Sequence, residues 1–271
     1  MRYSLLLFIL LFISSCYSAK PAYIKQTKQS QRVVTTKKDT IKTKVLTENQ
    51  TTTKQPELHQ LWDELLKQHV TKNGIVNYKS FKTEHKKLLD YIFSLGVFYK
   101  KKHFKTISKE KKLAFWINAY NAMTIDLILK HYPIQSIKDI EKPWDKKLWK
   151  TIGIPHNLNE IEHTILRKMD EPRIHFAIVC ASFSCPKLLN KAYKAEIINN
   201  QLTYATKNFL NDTNRNEIST NRIKLSKIFQ WFSKDFKQNG SLINFLNQYA
   251  PVKISAKAKK SFKDYNWVLN E

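Results

Sequence analysis

The spacing of apolar and polar residues along the chain predicts mostly helices. Leu58, Leu61, Trp62 and Leu65 recur at the interval of an amphipathic helix. The stretch LAFWINAYNAMTIDLILKHYP is apolar on nearly every face, which predicts a long buried helix that ends at Pro133. With 271 residues, 42% of them hydrophobic, the chain is large enough for one sizeable core.

Shorter patterns predict the remaining elements. Helices are expected over 82–94, 160–167 and 195–210, and either Asn157 or Asn159 can cap the second of them. Two apolar-polar runs flank Thr220-Asn221-Arg222, which favours a hairpin, and a terminal strand is expected over 264–267. Together, these helices and strands predict an α+β fold, a mostly helical single domain with a small sheet.

The run RIHFAIVCASFSCPKL, from Arg173 to Leu188, carries the densest reactive chemistry. Its first half alternates between two apolar faces, which predicts a buried strand that includes His175. A turn of small polar residues then leads to Cys185 and Pro186. The pattern therefore places a histidine and two thiols, Cys180 and Cys185, close together.

The N-terminus has the pattern of a bacterial lipoprotein. Residues 1–15, MRYSLLLFILLFISS, predict a signal peptide, since the apolar run is too short to span a membrane. Ile13-Ser14-Ser15-Cys16 is typical of a lipoprotein cleavage site, so Cys16 is the predicted lipidation site, although an ordinary secretory signal is the alternative. Lipidation predicts a membrane-anchored protein of the bacterial cell envelope, and Tyr17 after the cysteine favours the outer membrane.

The rest of the chain divides into a tether and a globular part. Residues 16–55 are rich in Lys, Thr and Gln and poor in apolar residues, which predicts a disordered basic tether beyond the lipidated cysteine. Residues 56–271 are predicted to form the globular domain. The tether is expected either to act as a spacer or to lie against an anionic membrane or polymer.

Composition limits the partners and cofactors. The formal net charge is +25, but a secreted N-terminus disfavours nucleic acid as the partner. The chain has only 4 glycines and no Gly-rich phosphate loop, and adjacent Glu162 and His163 cannot form an i,i+4 metal pair. No cofactor and no metal site are therefore predicted.

Two groups of polar residues stand out within predicted helices. Asn118 and Asn121 lie in the long buried helix, where their amides either anchor neighbouring loops or face a site. Glu162, His163 and Arg167 crowd together on a second helix. His163 is interpreted either as a functional group or as a hydrogen-bonded structural histidine.

Five stretches taken together resemble the family called domain of unknown function 547 (DUF547). They are FWINAYNA (115–122), IEHTILR (161–167), RIHFAIVCASFSCPKL (173–188), IFQWFSKDF (228–236) and DYNW (264–267). The likeness runs from Val76 to Asn270. The family name implies no established reaction.

The resemblance implies a layout similar to papain and the transglutaminase-like proteins, with a nucleophile at a helix start and a histidine on a core strand. On that mapping Asn118 or Asn121 would take the place of the nucleophile, and His175 that of the base. Because an amide cannot attack a carbonyl as a thiolate does, the site would be degenerate. Cys185 is the alternative source of a thiolate.

Two functions therefore remain open, and whether the chain is an enzyme is undecided. As a thiol-dependent hydrolase or acyltransferase on peptide or amide bonds, it would use Cys185 as nucleophile. His175 or His163 would be the base, and Glu162 or an asparagine the orienting group.

As a binding module of the cell envelope, the chain would hold a peptide, a polymer or a protein. Asn118, Asn121, Arg167 and Arg173 would then be binding residues. A third hypothesis concerns the thiols alone: Cys180 and Cys185 could form a disulfide in an oxidising compartment, or Cys180 could simply be buried.

Overall fold

The computed structural model describes residues 57–271. The predicted signal peptide, Cys16 and the whole predicted tether lie outside the described residues. Within 57–271, no helix is both long enough and apolar enough to cross a membrane.

The described part of the chain is mostly helical, as predicted. The α-helices are α1 (Gln60–His69), α2 (Tyr78–Thr83), α3 (His85–Tyr99), α4 (Lys109–His131), α5 (Leu158–Glu160), α6 (Ile198–Asn211), α7 (Ile228–Trp231) and α8 (Leu242–Leu246). Short 3-10 helices cover Lys102–Thr106, Ile137–Asp139, Pro143–Asp145, Lys150–Ile152, Leu166–Met169, Pro172–Phe176, Ala195–Ile197 and Asp235–Lys237.

The long helix α4 begins and ends where its sequence dictates. The Ser108 hydroxyl accepts a hydrogen bond from the Lys111 backbone N–H and caps the first turn. The helix stops at His131, two residues before Pro133. All 17 residues from Leu113 to Leu129 are buried, so α4 is the central element of the fold.

The helical segment that begins with α5 changes helix type along its length. Asn157 and Glu160 form a capping box at its start. The chain then continues as a π-helix over Ile161–Ile165 and as a 3-10 helix over Leu166–Met169. A π-helical turn adds a residue to the helix and is common at functional sites.

The sheet is small and mixed. Strands β1 (Glu217–Ile218) and β2 (Arg222–Leu225) pair antiparallel, which confirms the predicted hairpin. Strand β3 (Lys259–Phe262) pairs parallel with β2, with Ile223 opposite Lys260. The observed fold is therefore the predicted α+β class, mostly helical with a small sheet.

Two strand predictions were wrong. The run after Pro172 forms a 3-10 helix to Phe176 and then irregular chain, because the Asn121 side chain bonds its backbone: the amide donates to Ala177 O at 2.9 Å and accepts from Val179 N at 3.0 Å. The C-terminal residues 264–267 form no strand. Only isolated bridges involve the adjacent Val268 and Leu269.

The described residues form two hydrophobic cores. The first surrounds α4 and includes α1, α3 and Trp149. The second packs the sheet against a cluster of phenylalanines: Phe176, Phe209, Phe229, Phe236 and Phe245. Phe176 follows His175 directly in the chain, so this histidine lies where the second core begins.

Candidate functional site

A cleft of about 360 Å³ collects most of the reactive side chains. Its polar lining includes Glu162, His163 and His175, and both cysteines, Cys180 and Cys185, also line it. Its apolar lining is given by Ile178, Ile228 and the rings of Tyr120, Trp144, Trp231, Phe232, Tyr265 and Trp267. Functional pockets commonly combine a largely apolar wall with a few convergent polar groups.

The Asp235 carboxylate bonds two side chains next to each other at the cleft, those of Arg167 and His175. Arg167 donates to both carboxylate oxygens, at 2.6 Å and 2.8 Å, and His175 Nε2 lies 2.8 Å from Oδ2. Burial opposes ionisation of Asp235, but the hydrogen bonds from Arg167 and His175 outweigh it and hold the pKa of this carboxyl well below its usual range. An ionised carboxylate can only accept, so His175 carries its proton on Nε2.

Arg167 also fixes the second histidine. Its Nη1 donates to His163 Nδ1 at 2.8 Å, and a guanidinium can only donate. Burial, and then the charge of Arg167, lowers the pKa of His163. His163 is therefore neutral at pH 7 and carries its proton on Nε2.

Glu162 is a carboxyl poised to titrate near neutral pH. It is 8% exposed and accepts a hydrogen bond from the Tyr120 hydroxyl at 3.0 Å. Burial raises the pKa of Glu162 to about 7, although the Tyr120 bond and the Arg167 charge act against it. A carboxyl with this pKa can either donate or accept a proton at physiological pH.

The two cysteines form a disulfide, with their Cα atoms 6.1 Å apart. The ring of residues 180–185 turns at Ala181, a buried residue with φ of 58°. Arg215 stabilises the turn, because its guanidinium donates to Phe183 O at 2.5 Å and to Cys185 O at 2.6 Å. Cys185 thus has no free thiol in this state, and its prediction as nucleophile applies only to the reduced protein.

Four mutually packed aromatic rings form another part of the cleft wall. Tyr265 lies 4.6 Å from Trp267 and 4.8 Å from Trp231 between ring centroids, and Trp144 packs edge-on to Trp267 at 5.9 Å. Trp231 remains 46% exposed. This wall offers flat apolar surface to a ligand.

The structure brings together all four residues proposed as catalytic. Glu162, His163, His175 and Cys185 line one cleft, and Arg167, a predicted binding residue that is not part of the lining, bonds both His163 and Asp235.

The other three predicted binding residues lie elsewhere. Asn118 bonds the backbone of Tyr193, and Asn121 bonds that of the 177–179 segment, so both amides anchor loops. Arg173 pairs with Glu171 away from the cleft lining.

Sequence reasoning missed several residues of the site. Tyr120, Tyr265 and Trp267 line the cleft and Asp235 bonds His175, yet none of the four was proposed, although each lies within a motif quoted for the family resemblance. All five motifs contribute side chains to this cleft, so their joint occurrence was the available signal.

Within residues 57–271, no three His, Cys, Asp or Glu side chains are placed to hold a metal ion. Two carboxyl groups, one in the cleft and one next to it, are hydrogen-bonded to neighbouring side chains. Asp235 is bonded to Arg167 and His175, and Glu162 accepts from Tyr120.

Comparison with known proteins gives one match. Residues 104–210 match the family described as "Protein of unknown function, DUF547", which supports the resemblance for this part of the chain. The matched region holds three of the five motifs and extends neither to Asp235 nor to Tyr265. Neither curated proteins nor solved structures give a match.

Proposed function

We propose that this chain is a cell-envelope lipoprotein whose cleft binds a short peptide segment. The observation that carries the proposal is the convergence of Glu162 and His163 on a cavity that aromatic rings also line. The cavity volume of about 360 Å³ suits a few residues of an extended peptide.

The polar atoms suit a peptide backbone. His163 Nε2–H is a donor, and within residues 57–271 it makes no hydrogen bond to protein. The second carboxylate oxygen of Glu162 is likewise unpaired by the described residues and can accept. One donor beside one acceptor complements the C=O and N–H of an amide, while Trp231 and Trp267 suit an apolar side chain.

The envelope location rests on the N-terminal pattern. A signal peptide over 1–15 and a lipidated Cys16 would anchor the domain through the basic tether, most simply to the outer membrane. The disulfide between Cys180 and Cys185 agrees with a compartment outside the reducing cytoplasm.

Tryptophan fluorescence tests peptide binding directly, since three of the six tryptophans line the cleft. A library of acetylated, amidated tetrapeptides is titrated into the full chain, with N-acetylglucosamine oligomers as a second probe. We expect saturable binding of some peptides, weakened about tenfold by Trp231→Ala, which removes about one aromatic contact.

Tyr204→Ala is the matched control, because Tyr204 is 57% exposed and lies outside the cleft lining. The proposal is wrong if no peptide binds, or if the sugar oligomers bind and the peptides do not. Equal affinity of the Trp231 variant and the control would also contradict it.

A second candidate function, that of a thiol-dependent hydrolase, applies to the protein when its disulfide is reduced. The specific observation is that Cys185 lines the same cleft as His175, whose imidazole is oriented by Asp235 at 2.8 Å. Reduced full chain should then release new amino termini from the same peptides, and Cys185→Ala should abolish the release. Unchanged peptides after reduction would exclude this activity for the library.

A further inference from the structure

The disulfide of the cleft is surrounded by hydrogen-bond donors. The Tyr265 hydroxyl lies 3.2 Å from Cys180 Sγ and 3.4 Å from Cys185 Sγ. The Cys180 backbone N–H donates to Cys185 Sγ at 2.8 Å, and Ser182 Oγ lies 3.2 Å from Cys180 Sγ. Disulfide sulfur carries no hydrogen, so the Cys180 N–H and the hydroxyls of Tyr265 and Ser182 can only donate to it. Each hydroxyl has a single hydrogen, and Ser182 Oγ also lies 3.3 Å from the Tyr265 hydroxyl, to which it can donate instead.

Donors of this kind favour negative charge on sulfur. A neutral disulfide is only a weak acceptor, whereas a thiolate is strongly stabilised by N–H and O–H donors. The guanidinium of Arg215, bonded to Cys185 O at 2.6 Å, adds positive charge on the other side of the loop. The surroundings therefore stabilise the product of reduction, a thiolate on Cys185, more than the closed disulfide.

The two sulfurs also differ in access. Cys185 is 2% exposed, whereas Cys180 is partly exposed, and both line the cleft. An incoming thiol can thus approach Cys180 more readily than Cys185. Accessibility and leaving-group stabilisation point to the same direction of attack.

We propose that the Cys180–Cys185 disulfide is a redox-active centre that exchanges with the thiol of a cysteine-containing peptide in the cleft. A substrate thiolate attacks Cys180 Sγ, the bond between the two cysteines breaks, and its electron pair leaves on Cys185 Sγ. A second thiolate then displaces Cys180 Sγ from the mixed disulfide. Two substrate thiols are oxidised to one disulfide, and the protein pair is reduced to two thiols.

Glutathione, a cysteine-containing tripeptide, is the probe for this exchange. The folded, oxidised full chain carrying Cys16→Ala retains two of its three cysteines. It is incubated with reduced glutathione, quenched with a maleimide and counted for free thiols by mass spectrometry. We expect reduction under native conditions, slowed about tenfold by Tyr265→Phe, which removes one hydrogen bond to the departing thiolate.

Tyr204→Phe serves as the control, because Tyr204 lies outside the cleft lining, and it should leave the rate unchanged. Reduction only after unfolding in urea would show a purely structural disulfide and overturn the proposal. Equal rates for wild type and Tyr265→Phe would overturn the role of the hydroxyl, and both variants retain the cysteine pair.

Single cysteine variants test the direction of attack. Incubated with oxidised glutathione, Cys185→Ser should accumulate a mixed disulfide on Cys180, and Cys180→Ser should accumulate at least about tenfold less on buried Cys185. The opposite ratio would overturn the proposed direction. Exchange does not require stable peptide binding, so a failed fluorescence titration together with rapid exchange would reject the peptide-binding function alone.

Discussion

Asp126 and Asp235 are two buried aspartates with similar partners in different places. Asp126, on α4, is fully buried and contacts His85 at 2.6 Å, the indole N–H of Trp149 at 2.7 Å, and Lys130. Asp235 pairs with His175 and Arg167. Each carboxylate thus unites a histidine and a cation from separate elements.

The two aspartates differ in whether their partners line the cleft. None of the three partners of Asp126 lines the cleft, so this centre holds α4, α3 and the Trp149 segment together. His175, by contrast, lines the cleft, and Arg167 passes from Asp235 to His163, which also lines it. The same ionic chemistry therefore supports the core in one case and positions cleft groups in the other.

Replacement of Asp126 should give the largest loss of stability. Asp126→Ala removes a fully buried acceptor and leaves the Trp149 indole N–H unpaired, so we expect the free energy of unfolding to fall by about 4 kcal/mol. Urea denaturation measures the change, and the glutathione exchange rate of the folded variant should stay that of wild type. A loss below about 1 kcal/mol would contradict a structural role for this centre.

Replacement of Asp235 should cost less stability and disturb the cleft. Asp235→Ala should lower the free energy of unfolding by about 3 kcal/mol at pH 7. The folded-state pKa of Asp235 lies below its unfolded value, so this stabilisation is complete above about pH 4 and is lost as the pH falls further.

The advantage of wild type over Asp235→Ala should therefore stay constant from pH 7 to about pH 5 and shrink progressively below about pH 4, as measured by denaturation from pH 7 down to about pH 2. Peptide affinity should fall in this variant, because Arg167 would no longer be held against His163. Unchanged affinity would show that Asp235 acts only on stability and would remove the contrast with Asp126.

Glu162 should show the smallest effect, with the opposite dependence on pH. Its folded-state pKa of about 7 lies above the unfolded value, so wild type loses stability as the pH rises from about 4 to about 7. Glu162→Gln should remove this slope and be more stable than wild type by about 2 kcal/mol at pH 8, with little difference at pH 4.

Denaturation of both proteins across this pH range measures the effect, and Glu217→Gln on exposed β1 is the control. If Glu162→Gln were less stable than wild type at pH 8, the buried Glu162 carboxylate would not destabilise the folded protein. That outcome would contradict the prediction.

Local patterns were sufficient for part of the site. Glu162, His163 and Arg167 lie within one helical segment, so their proximity follows from spacing, and the capping box at Asn157 marks where that segment begins. Cys180 and Cys185 are five residues apart, which made a disulfide one of the open alternatives.

Distant contacts decided the rest of the site. Asp235 is 60 residues from His175 and 68 from Arg167, and its own local sequence gives no sign of either partner. Tyr265 reaches Cys185 across 80 residues. Pairings of this separation depend on how whole elements pack, which spacing along the chain does not specify.

The amino-acid sequence by itself determined the helical class, the ends of α4, the hairpin of β1 and β2, and the local crowding of Glu162, His163 and Arg167, because caps, prolines and periodicity act within a few residues. Only the tertiary structure decided that the run after Pro172 is not a strand. The Asn121 amide, fixed on α4, takes the backbone groups that a neighbouring strand would have bonded. Packing likewise decided that Tyr265 lines the cleft and that Asp235 bonds His175 and Arg167, because only the folded core brings such distant segments into contact.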